Sequence, residues 1–97
     1  REERMFDPLL HHPVRTKIIS MLSSSEKLSY KTLKEETGLT DGNLAGYLRS
    51  LEDASYIEFE KIFEGRRPKT VYMLTDKGRT AFLDYLEALK EFIKEQS

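Results

Sequence analysis

Cysteine and tryptophan are both absent from the 97 residues, which excludes disulfides, thiolate metal sites, a catalytic thiol and thiol redox switching by count alone. Carboxamides are nearly absent too, with Asn43 and Gln96 standing alone. The longest uninterrupted apolar runs are four residues, as from Val71 to Leu74, too short for a transmembrane helix or a signal-peptide core. A cytoplasmic location is expected. The two histidines, His11 and His12, are adjacent and would point apart on a helix, with no third ligand of their kind or any Cys to complete a site. They read as turn and capping residues beside Pro13, and no metal or cofactor is expected. Glu35-Glu36 and Glu52-Asp53 likewise diverge on a helix and form no general acid-base couple. Gly65-Arg66-Arg67 lacks the strand-to-helix setting of a phosphate-cradling loop. With no nucleophile and base pair in view, an enzyme is not expected.

What is present is a composition of 38% hydrophobic and 34% charged residues, enough for one core and one small domain over residues 1–97. The net charge of -1 hides an uneven distribution. Lys61, Arg66, Arg67, Lys69, Lys77 and Arg79 stand against Glu64 and Asp76 within residues 61–79, a local charge of +4 that leaves -5 for the rest. Local field, more than net charge, captures a polyanion.

Helix signals begin at Asp7-Pro8, where a capping residue precedes a proline tolerated at the first helical position, opening a short turn through Leu9 and Leu10. Pro13 starts a second run in which Val14, Ile18, Met21 and Leu22 recur on one face, and Ser23-Ser24-Ser25 ends it. Ser29 caps a short helix from Tyr30 to about Thr37 with Leu33 inward, and Gly38 stops it. In the next segment Thr40 or Asp41 supplies an N-cap, and Leu44, Leu48 and Leu51 fall within about 60 degrees of one another on a 3.6-residue helix, so they face a core. Opposite them project Asn43, Gly46, Arg49 and Ser50, flanked by Tyr47. Such a small polar face fits the requirements of major-groove reading. Two short helices joined near a glycine make a helix-turn-helix. Tyr56 to Phe63 and Thr70 to Leu74 are rich in β-branched and aromatic residues around the turn cluster Glu64 to Pro68, which predicts a β-hairpin with a basic tip. The order of elements gives an α+β, mainly α, winged helix-turn-helix with a hairpin wing.

The run from Phe6 to about Leu89 resembles the compact winged-helix transcriptional regulators of bacteria and archaea, relatives of the MarR and ArsR groups. The resemblance rests on Asp7-Pro8-Leu9-Leu10, Pro13-Val14-Arg15, Leu39-Thr40-Asp41-Gly42-Asn43-Leu44, Leu48-Arg49-Ser50-Leu51-Glu52 and Tyr56-Ile57. It continues in Gly65-Arg66-Arg67-Pro68-Lys69-Thr70-Val71-Tyr72 and Leu74-Thr75-Asp76-Lys77-Gly78-Arg79. It implies a homodimer on double-stranded DNA, with the Asp41 to Ala54 helix in the major groove and the hairpin tip on the backbone or minor groove. Two positions depart from the pattern. Ser55 stands where such sequences usually end the recognition helix with glycine, and a left-handed serine costs roughly 1 kcal/mol. Tyr47 stands where histidine is common, so no base preference transfers, and without cysteine the ArsR metal chemistry does not transfer either.

The candidate DNA contacts are Ser29, Tyr30, Lys31, Thr40, Asn43, Gly46, Tyr47, Arg49, Ser50, Arg66, Arg67 and Lys69. Arg49 is best able to fork onto guanine and Asn43 onto adenine, while Arg66, Arg67 and Lys69 neutralise phosphates. The segment from Asp76 to Gln96 has no proline, and as a helix it would be about 30 Å long. Its stripe of Phe82, Tyr85, Leu86, Leu89, Phe92 and Ile93 outreaches so small a domain, and a second copy of the chain is the expected cover, joined by Leu9 and Leu10. A helix folded back on its own core is the other reading. A two-fold dimer would read an inverted repeat with half-sites about 34–36 Å apart. The alternative function is a winged-helix protein-interaction module without DNA binding. No polar constellation marks an effector pocket.

Overall fold

The computed structural model describes residues 6–96, so the expected extent of 1–97 runs past the described residues at both ends. Seven elements follow in order: α1 (Pro13–Ser23), β1 (Leu28–Ser29), α2 (Tyr30–Thr37), α3 (Asp41–Asp53), β2 (Ile57–Glu64), β3 (Arg67–Leu74) and α4 (Asp76–Gln96). The winged helix-turn-helix architecture expected from the sequence is the one found. An antiparallel sheet of order β1-β3-β2 carries the long β2–β3 hairpin.

Each helix begins where a side chain can take up its orphan backbone donors. His12 caps α1, its Nδ1 accepting from the Val14 amide at 3.1 Å, with Pro13 at the first helical position. Ser29 Oγ accepts from the Thr32 amide at 3.1 Å at the head of α2, and Gly38 at φ 70° closes its end. Thr40 Oγ1 accepts from the Asn43 amide at 3.2 Å at the head of α3. Thr75 Oγ1 accepts from the Gly78 amide at 2.9 Å to open α4 while donating to the Ser55 carbonyl at 2.6 Å, so one hydroxyl joins the exit of α3 to the entry of α4.

The core gathers Leu10, Ile18, Ile19 and Leu22 with Leu33, the α3 leucines Leu44, Leu48 and Leu51, the sheet residues Ile57 and Tyr72, and Phe82 and Tyr85 of α4. Within α1, Ile19 is fully buried while Val14 and Met21 are half-buried, because α1 meets α2, α3, α4 and β3 and so needs a wider apolar arc than one stripe. At the foot of α4, a Cβ on Gly78 would lie 2.0 Å from the Tyr56 carbonyl oxygen. Only glycine permits that approach of helix to sheet.

Leu10, Phe82 and Tyr85, taken from the sequence as dimer-interface residues, are buried within the chain itself. The first half of α4 turns Phe82, Tyr85 and Ala88 onto the chain's own core, while Leu86, Phe92 and Ile93 of the expected stripe are exposed and Leu83, not singled out from the sequence, joins them. Leu89 and Leu9 are half-buried.

Candidate nucleic-acid interface

With its three leucines turned inward, α3 presents Gly42, Asn43, Ala45, Gly46 and Arg49 as exposed residues. No atom lies within 4 Å of where a Cβ would stand on Gly42 or Gly46, so the face is open to close approach. Gly42, which lies directly opposite the leucines, and Ala45 at the side belong to it as well, though neither was singled out from the sequence. The flanking positions behave differently. The Tyr47 ring is half-buried against His12, with centroids 5.1 Å apart, and the Arg15 guanidinium carbon lies 5.9 Å from its centroid. Ser50 Oγ donates to the Tyr47 carbonyl at 2.7 Å and is half-buried too. Both sit at the margin of the face, and Arg15 is a neighbour that helical periodicity within α3 had no means to reveal.

The first turn of α2 adjoins this face. Tyr30 Oη donates to Asp41 Oδ1 at 2.9 Å and Lys34 Nζ reaches Asp41 Oδ2 at 3.0 Å. The Lys34 ammonium and the Tyr30 hydroxyl together hold the Asp41 carboxyl below the usual carboxylate range. Burial, and then the bond to Asp41, push the Tyr30 phenol up. Lys31 and Thr40 are exposed, and Ser29 is occupied as the α2 cap.

The wing closes through a two-residue loop, Gly65-Arg66, between the paired residues Glu64 and Arg67. Gly65 takes φ 68° and Arg66 does not join it among positive values, the pattern of a type II′ turn that matches strand twist. Pro68 lies inside β3, where the sequence reading had placed it in the turn. The pair next to the one closing such a loop exchanges no backbone hydrogen bonds, and β1 pairs only with Val71 and Tyr72, so the missing N–H of Pro68 costs the sheet nothing. Arg66 and Arg67 are exposed, and among the described residues neither is ion-paired. Lys69 differs. It is half-buried and bridges to Glu64 at 3.2 Å, so its charge is partly spoken for.

Between the head of α2 and the wing runs a cleft of about 620 Å³, lined by Ser29, Tyr30, Lys31, Glu64, Arg67 and Lys69. Tyr30 therefore touches the first residue of α3 on one side and lines the wing cleft on the other. The first residue of α3, the head of α2 and the cationic wing thus meet around Tyr30.

Among the described residues no group of three or more His, Cys, Asp or Glu side chains could hold a metal ion, and no described helix is long and apolar enough to cross a membrane. His11 Nδ1 lies 3.1 Å from Tyr85 Oη, and its ring stacks on Phe6 at 4.6 Å. A second cleft, about 750 Å³ and largely apolar, lies between the Phe6–Pro8 segment, Tyr56 and α4. Its walls come from three distant stretches of chain, so no local motif announces it.

A winged helix DNA-binding domain family model matches residues 14–93. An uncharacterized protein of Methanocaldococcus jannaschii is 38% identical over 81 residues, spanning 84% of this chain and 88% of the relative. The structure of a transcriptional regulator homologue from Pyrococcus horikoshii OT3 superposes with a TM-score of 0.86 at 30% identity, covering 92% of this chain and 88% of that one. The crystal structure of MarR shares the fold, with a TM-score of 0.77 at 19% identity, over 91% of this chain and 64% of its own.

Proposed function

Because the chain belongs to the winged helix DNA-binding domain family, whose members and neighbours are transcriptional regulators and not enzymes, we propose that it regulates transcription as a homodimer on an inverted-repeat operator. In this reading residues 1–97 form one DNA-binding domain, α3 enters the major groove and the wing lies on the flanking backbone or minor groove. Asn43 and Arg49 read base edges, Gly46 lets the helix approach, and Tyr47 and Ser50 touch the groove wall from the margin. Ser29, Tyr30, Lys31 and Thr40 meet phosphates, as do Arg66, Arg67 and, with its charge shared, Lys69. The observation that carries this is the position of Tyr30, which adjoins α3 through Asp41 and the wing through the cleft. In this reading the two DNA-facing elements act as parts of one surface.

The dimer rests on the exposed apolar residues of one 21-residue helix, chiefly Leu83 and Leu86 on adjoining turns, with Leu89, Phe92 and Ile93 further along it and Leu9 joining them in the assembly. Soluble chains seldom expose large apolar side chains in contiguous patches.

Gel-shift titrations across a salt series test the reading. Each phosphate contact contributes about 0.9 to the log–log salt slope on duplex DNA, so replacing Arg66 and Arg67 together with Ala lowers the slope by about 1.8 per protomer and weakens binding to all sequences alike. Arg49→Ala relaxes discrimination at one base pair, by about 1–3 kcal/mol, with little change in slope. Absence of salt-sensitive duplex binding by the unsubstituted chain would favour the protein-interaction reading, for which Phe59 and Phe63, exposed on one face of the wing, offer an apolar patch.

A further inference from the structure

An acidic residue stands where the proposed interface should be most hostile to it. Asp41 is the first residue of α3, and its side chain is 69% exposed. It does not cap its own helix, since Thr40 takes that role. Instead each carboxylate oxygen is claimed by a donor from α2, Oδ1 by the Tyr30 hydroxyl at 2.9 Å and Oδ2 by the Lys34 ammonium at 3.0 Å. A carboxylate held by one hydroxyl and one ammonium reproduces the contacts that a backbone phosphate receives from a DNA-binding protein.

We propose that Asp41 is an internal stand-in for a DNA phosphate, which occupies the Tyr30 hydroxyl and the Lys34 ammonium in the free protein and yields them to the strand only on the operator, and so sharpens the choice between operator and random sequence. The proposal rests on the DNA-binding reading above. Non-specific association is almost wholly electrostatic, whereas operator binding adds base contacts along α3. A fixed negative charge that also occupies a lysine subtracts from the electrostatic part in both cases. An equal penalty would leave the ratio of the two affinities unchanged, so the gain comes from the operator complex alone recovering Lys34, and selectivity gained by penalising the wrong partner is a general device. The ion pair is exposed, and such pairs exchange partners at small cost, so a phosphate brought close by correct base contacts can take Lys34 over.

The test uses the full chain with Asp41→Asn, Lys34→Ala and the double substitution, titrated against a scrambled duplex and a duplex carrying the best site selected from a random pool. Asp41→Asn is expected to tighten scrambled-duplex binding several-fold and to steepen its salt slope by about 0.9 per protomer. The ratio of selected-site to scrambled affinity should fall. Adding Lys34→Ala should return the slope to that of the unsubstituted chain. Thermal melting of each variant separates these effects from loss of fold. Unchanged slope and ratio in Asp41→Asn overturn the proposal, as does a tightened slope that survives loss of Lys34, or weakened binding to both duplexes with the melting temperature intact. If Asp41→Asn lowers the melting temperature, Asp41→Ser and Asp41→Ala replace it in the same titration and are judged by the same outcomes. Failure of the unsubstituted chain to bind either duplex is a different result and removes the DNA-binding reading itself.

Discussion

Ser55 takes φ 64°, the one non-glycine among the described residues at positive φ. It sits just past the α3 C-cap, Ala54, where the chain must reverse into the sheet. The sequence exposed this position as a serine in place of the usual glycine, and the backbone bears the consequence. Ser55→Gly should stabilise the protein by about 0.5–1 kcal/mol in urea unfolding, because the left-handed conformation penalises a Cβ and the Thr75 bond goes to a carbonyl that glycine retains. Tyr56, next in the chain, donates its hydroxyl to Asp7 Oδ2, and burial followed by that bond pushes its phenol up to about 12. In the unfolded chain the phenol titrates near 10. The neutral phenol therefore contributes stability that is fully present below pH 10 and is lost as pH rises from there toward about 12. Unfolding measured from pH 8 to 12 should show a steep alkaline fall in the unsubstituted chain and a shallower one in Tyr56→Phe, with Tyr30 and Tyr72 supplying the remainder.

At the scale of elements, the helices were legible because their signals are local. Ser29 and Thr40 cap where expected, Gly38 closes α2, and the leucines at 44, 48 and 51 face inward. The two-residue strand β1 left no trace, since Leu28–Ser29 is too short to show alternation and exists only through pairing with Tyr72 and Val71 of β3. Pro68 misled the strand boundary, because a turn-forming residue is tolerated inside a strand wherever its nitrogen faces no partner. For α4 the stripe was visible but not its division. Its near half is covered by α1 and by Phe6 and His11, whose rings meet Tyr85, and nothing in a helical period says where self-coverage stops. The exposed face then gives a sharp expectation. Leu83→Glu or Leu86→Glu should convert a dimer to an 11.4 kDa monomer in light scattering, with the core and helical signal retained because both side chains lie outside the core. The same substitutions in Leu10 or Phe82 would instead unfold the chain.

At the scale of the whole molecule, the candidate interface was legible residue by residue but not as a surface. The sequence marked the polar face of α3 and the basic wing separately. Their junction depends on Tyr30, Asp41 and Lys34 meeting across the helix-turn-helix, contacts between residues 7 and 11 positions apart that no periodicity encodes. The central claim is that junction, one surface that places α3 and the wing on the same duplex. Absence of native cysteine allows single thiols to be introduced for attachment of an iron chelate that cleaves nearby DNA. Asp53→Cys marks the exposed end of α3, and Glu64→Cys marks the exposed wing tip. On a selected duplex the account predicts focused cleavage in the major groove from position 53, and from position 64 in the flanking minor groove of the same half-site, about half a helical turn away. Cleavage from only one of the two positions, or from both without focus, would contradict it.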